Sequence, residues 1–156
     1  MNIRIEYLTD DNNVIPLLAQ WHYDEFGRLN PVDSVEERLA KLKAQAGSRQ
    51  IPLTLVAFTG ETLLGSACLV AHDMDTRMDL SPWLATLFVA SEHRNQGVGS
   101  ALVERAVEEA QKLGVKTLYL FTWDREKLYA RLGWSVIERS VYHGRQVTVM
   151  SIETGA

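Results

Sequence analysis

The chain has 156 residues, about the length of one domain, and no Gly/Ser/Pro-rich linker divides it. It carries 16 Lys plus Arg against 20 Asp plus Glu, a net charge of −4, and 46% of its residues are hydrophobic. This composition excludes a mainly disordered chain and disfavours a general nucleic-acid binder, which normally has a basic excess. No apolar segment approaches the ~20 residues that span a bilayer, and the N-terminus lacks a signal-peptide pattern. We therefore expect a single cytoplasmic domain over residues 1–156 that binds neither nucleic acid nor membrane.

The first 50 residues predict one strand followed by two helices. Residues 3–8 alternate between apolar and polar side chains, which indicates a half-buried strand. Residues 9–11 can cap a helix that ends at Gly27, and its apolar positions recur at helical spacing. Asp33 or Ser34 can cap the second helix.

A hairpin and an apolar strand follow these helices. Residues 51–58 and 62–71 predict two strands, and Gly60 at the first position of the turn between them suits a type II′ hairpin. Residues 72–82 are polar and predict an exposed loop. The apolar segment 83–90 then predicts a further strand.

The longest helix of the chain is predicted from Gly97 to Gly114. Its apolar residues recur every three or four positions, and charged residues cover the opposite side. Asp124 can cap a short helix that runs through Arg131. Three further strands are predicted at residues 115–121, 134–139 and 146–152. The order β-α-α-β-β-β-α-β-α-β-β predicts an α/β fold with a mixed sheet covered by helices.

The clearest chemical signal is the turn between the strand at 83–90 and the long helix. Two glycines, Gly97 and Gly99, open this helix. The first turn of a helix has unpaired N–H groups, and the helix dipole adds partial positive charge there. Glycine also permits close approach of a phosphate to the backbone. We therefore predict that residues 96–100 bind a phosphate group through their amides, and that Arg94 adds a charge-assisted contact.

Other interpretations of the two glycines compete with this one. A Walker-type loop is excluded because no Lys follows them. A dinucleotide fingerprint needs Gly or Ala at the third site, where Leu102 stands, although Asp124 falls where a ribose ligand could lie. A core helix whose glycines serve only packing is the third alternative.

Two motifs of the chain resemble the GNAT superfamily of acyl-CoA-dependent N-acyltransferases. Arg94-Asn95-Gln96-Gly97-Val98-Gly99 fits the family signature Arg/Gln-x-x-Gly-x-Gly/Ala, and Leu128-Tyr129-Ala130-Arg131-Leu132-Gly133-Trp134 fits its helix with a Tyr before a Gly-aromatic pair. The motifs cover residues 83–134, and the element order resembles the family over essentially the whole chain.

The resemblance implies a GNAT-like fold with a central, mostly antiparallel sheet. Its one parallel strand pair, residues 83–90 and 115–121, would splay apart to admit acetyl-CoA. Backbone groups of the first of these strands would bind the pantetheine arm, namely those of Leu87, Phe88 and Val89. The pyrophosphate would bind at the turn and the helix start, at Arg94, Asn95, Gln96, Gly97, Val98, Gly99 and Ser100.

The implied reaction moves acetyl from acetyl-CoA to a primary amine of a small molecule, an amino acid, a peptide or a protein. Direct attack by the amine requires no covalent enzyme intermediate, and the only cysteine, Cys68, lies in an apolar run typical of a buried strand thiol. The family position of Tyr129 implies a catalytic role. A Tyr with a pKa of about 10 keeps its proton at neutral pH and can protonate the leaving thiolate. Packing of the short helix is its alternative role.

The base that takes the amine proton has only a weak signal, because the strand at 83–90 contains no carboxylate. We predict Asp79, which stands four residues before Trp83. Asp73 and Asp75 of the same loop are expected to be solvated. The alternatives are His72, His143 and a water chain.

No Cys/His cluster has metal-ligand spacing, so we predict no metal site. The sequence is compatible with a homodimer.

Two other functions stay open. One is a CoA-binding sensor or scaffold without turnover, because Thr122 stands where many family members carry an Asn and no base is evident. The other is a dinucleotide-binding oxidoreductase.

Overall fold

The computed structural model describes residues 1–10, 13–27 and 32–156. Within them a seven-stranded sheet has the order β1-β2-β3-β4-β5-β7-β6. The strands are β1 (Arg4–Tyr7), β2 (Leu53–Thr59), β3 (Thr62–Val70), β4 (Trp83–Val89), β5 (Thr117–Thr122), β6 (Ser135–Tyr142) and β7 (Arg145–Glu153). The helices are α1 (Ile15–His22), α2 (Val35–Gln45), α3 (Val98–Lys112) and α4 (Glu126–Arg131). Only β4 and β5 are parallel neighbours in this sheet, which confirms the predicted mixed sheet.

The start of α1 differs from the prediction. The helix begins at Ile15 with Val14 as its N-cap, and no side chain caps it. Pro16 lies in the first turn, where its missing N–H needs no partner. Thr9 and Asp10 therefore do not cap α1, so the prediction is wrong for these two residues. Asp11, the third predicted cap, lies outside the described residues. A π-helical turn, Tyr23–Gly27, extends the helix.

The starts of α2 and α4 are set by hydroxyl groups. Ser34, and not Asp33, caps α2, and its Oγ accepts a hydrogen bond from the Glu37 amide at 3.0 Å. The N-cap of α4 is Arg125 instead of the predicted Asp124. Thr122 Oγ1 accepts hydrogen bonds from the Arg125 amide at 3.0 Å and from the Asp124 amide at 3.4 Å. These bonds order the turn between β5 and α4.

The sheet buries apolar side chains on both faces. On one face α3 packs Leu102 and Ala106, both fully buried, against β2, β3 and β4. On the other face α1 and α2 pack Leu18 and Leu42 against β2 and β3. The functional site described below lies between these layers, because a gap in the sheet opens towards both faces.

Candidate active site

The gap in the sheet lies between β4 and β5. These strands pair only at Trp83 and Tyr119, where the Tyr119 amide donates to the Pro82 carbonyl at 3.1 Å. Beyond this point the strands separate, so the edge of β4 from Leu84 onward lacks a strand partner on the β5 side. The space between them, here called the cleft, has a volume of about 700 Å³.

A bulge in β4 accompanies this separation. Between Ala85 and Phe88, β4 has two residues where β3 has one. The first of them, Thr86, has φ 47°, a left-handed conformation that is rare for a β-branched residue. On β3, Gly65 makes room for the bulge, because a Cβ there would lie 2.2 Å from the Phe88 carbonyl oxygen. A bulge bends its strand, so it favours divergence of β4 from β5.

The turn between β4 and α3 forms a cradle of backbone amides. Asn95 and Gly97 have φ values of 62° and 86°, and Gly97 is the N-cap of α3 without any side-chain cap. A Cβ on Gly97 would meet nothing within 4 Å, and one on Gly99 would meet only Val89 Cγ2 at 3.7 Å. The glycines are therefore not needed for packing, and the space before the helix is open. This space, here called the turn groove, has a volume of about 970 Å³ and suits a phosphate at a helix N-terminus.

Most of the predicted cofactor-binding residues lie together at this groove. It is lined by Val89, Arg94, Asn95, Gly97, Val98, Gly99 and Ser100. Gln96 is exposed beside it, whereas Leu87 lines the cleft. The side chain of Phe88 turns away to α1, where its ring centroid lies 5.4 Å from that of Trp21.

Arg94 contacts both the end of β4 and the π-helical turn after α1. Its Nε donates to the Val89 carbonyl at 3.0 Å, and its Nη2 lies 3.8 Å from Glu25 Oε2 on the π-helical turn. Arg94 thus joins the end of β4 to the extension of α1. Its charge stays at the rim of the turn groove, where the charge-assisted phosphate contact remains a prediction.

Tyr129 of α4 lines the cleft and is buried, 6% exposed. Its ring centroid lies 6.1 Å from that of Trp134. Burial raises its pKa to about 12, so the hydroxyl keeps its proton at neutral pH. Among the described residues, no group hydrogen-bonds this hydroxyl. The hydroxyl is therefore available as a donor to a ligand in the cleft.

The cleft and the turn groove are continuous. Residues 122–125, at the end of β5 and the start of α4, line both. Trp123 stands at this junction, with the Arg145 guanidinium 4.6 Å above its ring and the Phe26 ring 6.4 Å away. An extended ligand can therefore run from the amides of α3 to the hydroxyl of Tyr129.

The structure places Asp73 and Asp79, two of the three carboxylates of the loop after β3, in different surroundings. Asp79 pairs with Arg77 at 3.1 Å, its side chain is 65% exposed, and it is not among the residues that line the cleft. The hydrogen bond from Arg77 lowers the pKa of Asp79, which makes it a weaker base. Asp73, in contrast, is half-buried and lines the cleft, so the expectation that it is solvated is wrong. The loop folds inward there, since Met74 is only 1% exposed.

Sequence reasoning missed Asp73 and the hydroxyl of Thr86. Desolvation raises the pKa of Asp73 to about 7, and the positive charges of Arg38 and Lys41 oppose this rise. Thr86 Oγ1 is buried beside the Cys68 thiol. The only sequence signal for Asp73 is that it follows β3 by three residues, close to where β4 must begin.

A buried histidine and the remaining ionisable groups complete the lining. His22 Nε2 lies 2.7 Å from Ser66 Oγ, and burial lowers the pKa of His22 to about 4, so the ring is neutral. His72 and His143 also line the cleft.

Across residues 1–10, 13–27 and 32–156, no group of three or more His, Cys, Asp or Glu side chains could hold a metal ion. In the same residues, no helix has the length and apolar character needed to cross a membrane.

Solved structures similar to this one are acetyltransferases. An acetyltransferase of the GNAT family from Streptococcus pneumoniae is 22% identical, with a TM-score of 0.71 over 97% of this chain and 99% of that one. A putative acetyltransferase from Salmonella typhimurium, solved with its cofactor acetyl-CoA, is 19% identical, with a TM-score of 0.73 over 99% and 95%. A chimeric spermidine N-acetyltransferase from Vibrio cholerae is 16% identical, with a TM-score of 0.74 over 99% and 97%. These likenesses establish a shared fold.

The sequence was also compared with curated proteins and with family models. No curated protein matches it. The model of the acetyltransferase (GNAT) family matches residues 15–134, which include the cradle, the splayed strands and the helix of Tyr129. The chain therefore belongs to the acetyltransferase (GNAT) family.

Proposed function

We propose that this protein transfers an acetyl group from acetyl-CoA to a primary amine. The observation that carries the proposal is the continuous space from the open start of α3 to the unpaired hydroxyl of Tyr129. At one end, the amides of residues 98–100 suit the pyrophosphate. At the other end lies a proton donor. Between them, the edge of β4 that lacks a strand partner can hydrogen-bond an extended amide-containing chain such as pantetheine.

The acceptor amine enters, in this proposal, from the face of the sheet covered by α1 and α2. The cleft is lined on that side by Gln45 of α2, Cys68 of β3 and the half-buried Asp73. Carboxylates at a cleft attract an ammonium group. One neighbour of similar fold is a spermidine N-acetyltransferase, which supports an amine acceptor for this fold.

The proposed chemistry is direct transfer. The amine nitrogen attacks the thioester carbonyl carbon, a C–N bond forms and the C–S bond breaks. The hydroxyl of Tyr129 gives its proton to the departing sulfur, which leaves as the thiol of CoA. Holding thioester and amine side by side removes much of the entropic barrier.

The proposal is tested by measuring CoA release from acetyl-CoA with a panel of primary amines, amino acids and peptides. We expect amine-dependent release and an acetylated product whose mass is that of the amine plus one acetyl group. Acetyl-CoA without an acceptor measures the background hydrolysis.

A matched oxygen nucleophile, in which a hydroxyl replaces the amine of the best acceptor, serves as the second control. Release that is equal for the amine and the alcohol would contradict an N-acetyltransferase. Calorimetric binding of CoA without any turnover would favour a sensor.

A further inference from the structure

We propose that Asp73, held at the cleft by the loop after β3, is the base that accepts the proton of the acceptor amine. The inference rests on the proposed function and deepens it, because it assigns the second proton transfer of the same site. Asp73 and Tyr129 line the same cleft, one from the loop and one from α4. A carboxylate and a phenol in one cavity supply the acceptor and the donor that the reaction needs.

The loop fixes Asp73 from both sides. Before it, Ser81 Oγ donates to the carbonyl of Ala71 at 2.6 Å. After it, Met74 is buried in a cluster with Trp83, and the Asp75 amide donates to the hydroxyl of Tyr142 at 3.3 Å. These contacts hold the loop in place, and Asp73 with it, at the lining of the cleft. A base held by packing and hydrogen bonds needs no rearrangement to act.

The surroundings of Asp73 leave its carboxylate available. Arg38 and Lys41 face it from α2, the Cys68 thiol from β3 and the Tyr142 hydroxyl from β6. Among the described residues, none makes an ion pair with it within 4 Å. Burial raises the pKa of Asp73 to about 7, so it is a stronger base than an ordinary carboxylate and is ionised above that pH.

The proton balance of the step is complete. The nitrogen lone pair forms the C–N bond, and the positively charged nitrogen then loses one proton to the Asp73 carboxylate, directly or through one water. The C–S electron pair leaves with sulfur, which takes the Tyr129 proton. The acid form of Asp73 then returns its proton through solvent to the phenolate of Tyr129, which restores both groups.

The test is the pH dependence of kcat/KM for wild type and Asp73→Asn, with the acetyl-CoA affinity measured by calorimetry. Wild-type kcat/KM should break near pH 7 and be higher above it, in addition to the titration of the amine itself, because the base must be ionised. In Asp73→Asn we expect a fall of about 100-fold at pH 8 and no break near pH 7. The affinity for acetyl-CoA should stay unchanged, which a merely structural loss would not allow.

Two aspartates of the same loop serve as controls. Asp75→Asn removes an exposed carboxylate that lies 4.0 Å from His143, and it should keep the wild-type rate and the break. Asp79→Asn tests the rival base predicted from the sequence. Loss of the break in Asp79→Asn, or its survival in Asp73→Asn, overturns the assignment of Asp73. A wild-type protein that acetylates no amine overturns the proposed function as well, so the two failures are distinguishable.

Discussion

Two residues with hydroxyl groups, Thr86 and Tyr129, line the cleft, and no other described residue hydrogen-bonds the Tyr129 hydroxyl. Thr86 has backbone strain at φ 47°, which costs about 1–3 kcal/mol. Backbone strain of this kind concentrates at functional sites, which agrees with the position of Thr86 in the lining of the cleft.

Tyr129→Phe removes the proton donor and keeps the ring against Trp134. We expect kcat to fall by about ten- to a thousand-fold, with the acetyl-CoA affinity little changed. The melting temperature should stay close to that of the wild type, because the variant keeps the packed ring and loses no hydrogen bond to a described residue. Steady-state kinetics and thermal unfolding measure the two effects.

Tyr119→Phe on β5 is the matched control, because Tyr119 packs against Trp83 outside the cleft. It should keep the wild-type kcat. If Tyr129→Phe turns over at the wild-type rate with chemistry shown to be rate-limiting, Tyr129 has only a packing role.

At the scale of elements, the bulged strand β4 creates the site. On one side of β4, the Phe88 carbonyl lies close to Gly65 of β3. On the other side, β5 pairs with β4 only at Trp83 and Tyr119. The two edges of β4 thus have opposite roles. One is anchored through a close backbone contact, and the other is left free for a ligand.

Gly65→Ala should destabilise the protein, because its Cβ would lie 2.2 Å from a backbone oxygen. We expect the free energy of unfolding, measured by urea denaturation, to fall by about 2–3 kcal/mol. Gly99→Ala is the matched control, since its Cβ would meet only Val89 Cγ2 at 3.7 Å, an ordinary contact. Equal stability of the two variants would show that β4 accommodates the Cβ without cost.

At the scale of the whole molecule, the proposed cofactor path touches parts of the fold that are distant in sequence. The turn groove and the cleft are bounded by β4, α3, β5 and α4, and by the π-helical turn that extends α1. A ligand that binds only when these elements are assembled stabilises the native state by mass action. Ligand binding and global stability are therefore coupled.

Acetyl-CoA at a hundred times its Kd should stabilise the wild type by about 2.7 kcal/mol and raise its melting temperature by roughly 5–10 °C. In Gly99→Val the branched side chain fills the space before α3, so this shift should vanish while the protein remains folded. Gly99 is a better test than Gly97, whose φ of 86° would strain any side chain. Glu104→Val, at an exposed position of the same helix, should keep the full shift. A full shift in Gly99→Val contradicts the cradle.

Most of the local structure can be predicted from the amino-acid sequence alone. The period of apolar residues predicted the helices and strands, and Gly60 predicted the two-residue turn between Thr59 and Thr62, where its φ is 58°. Gly97 and Gly99 predicted the start of α3, where phosphate binding stays a prediction, and the two motifs indicated the family, which the family model confirms. These features depend on residues near one another in the chain, so their physical causes are visible in the sequence.

The choice of polar groups that face the cleft depends on tertiary packing. Asp73 and Asp79 are six residues apart in one polar loop, and no local pattern distinguishes them. The burial of Met74 beside Trp83 directs Asp73 inward, while Arg77 holds Asp79 in solvent. The bulge at Thr86 likewise depends on Gly65, a residue of another strand. Such outcomes follow from packing between segments distant in sequence, which residue order alone does not reveal.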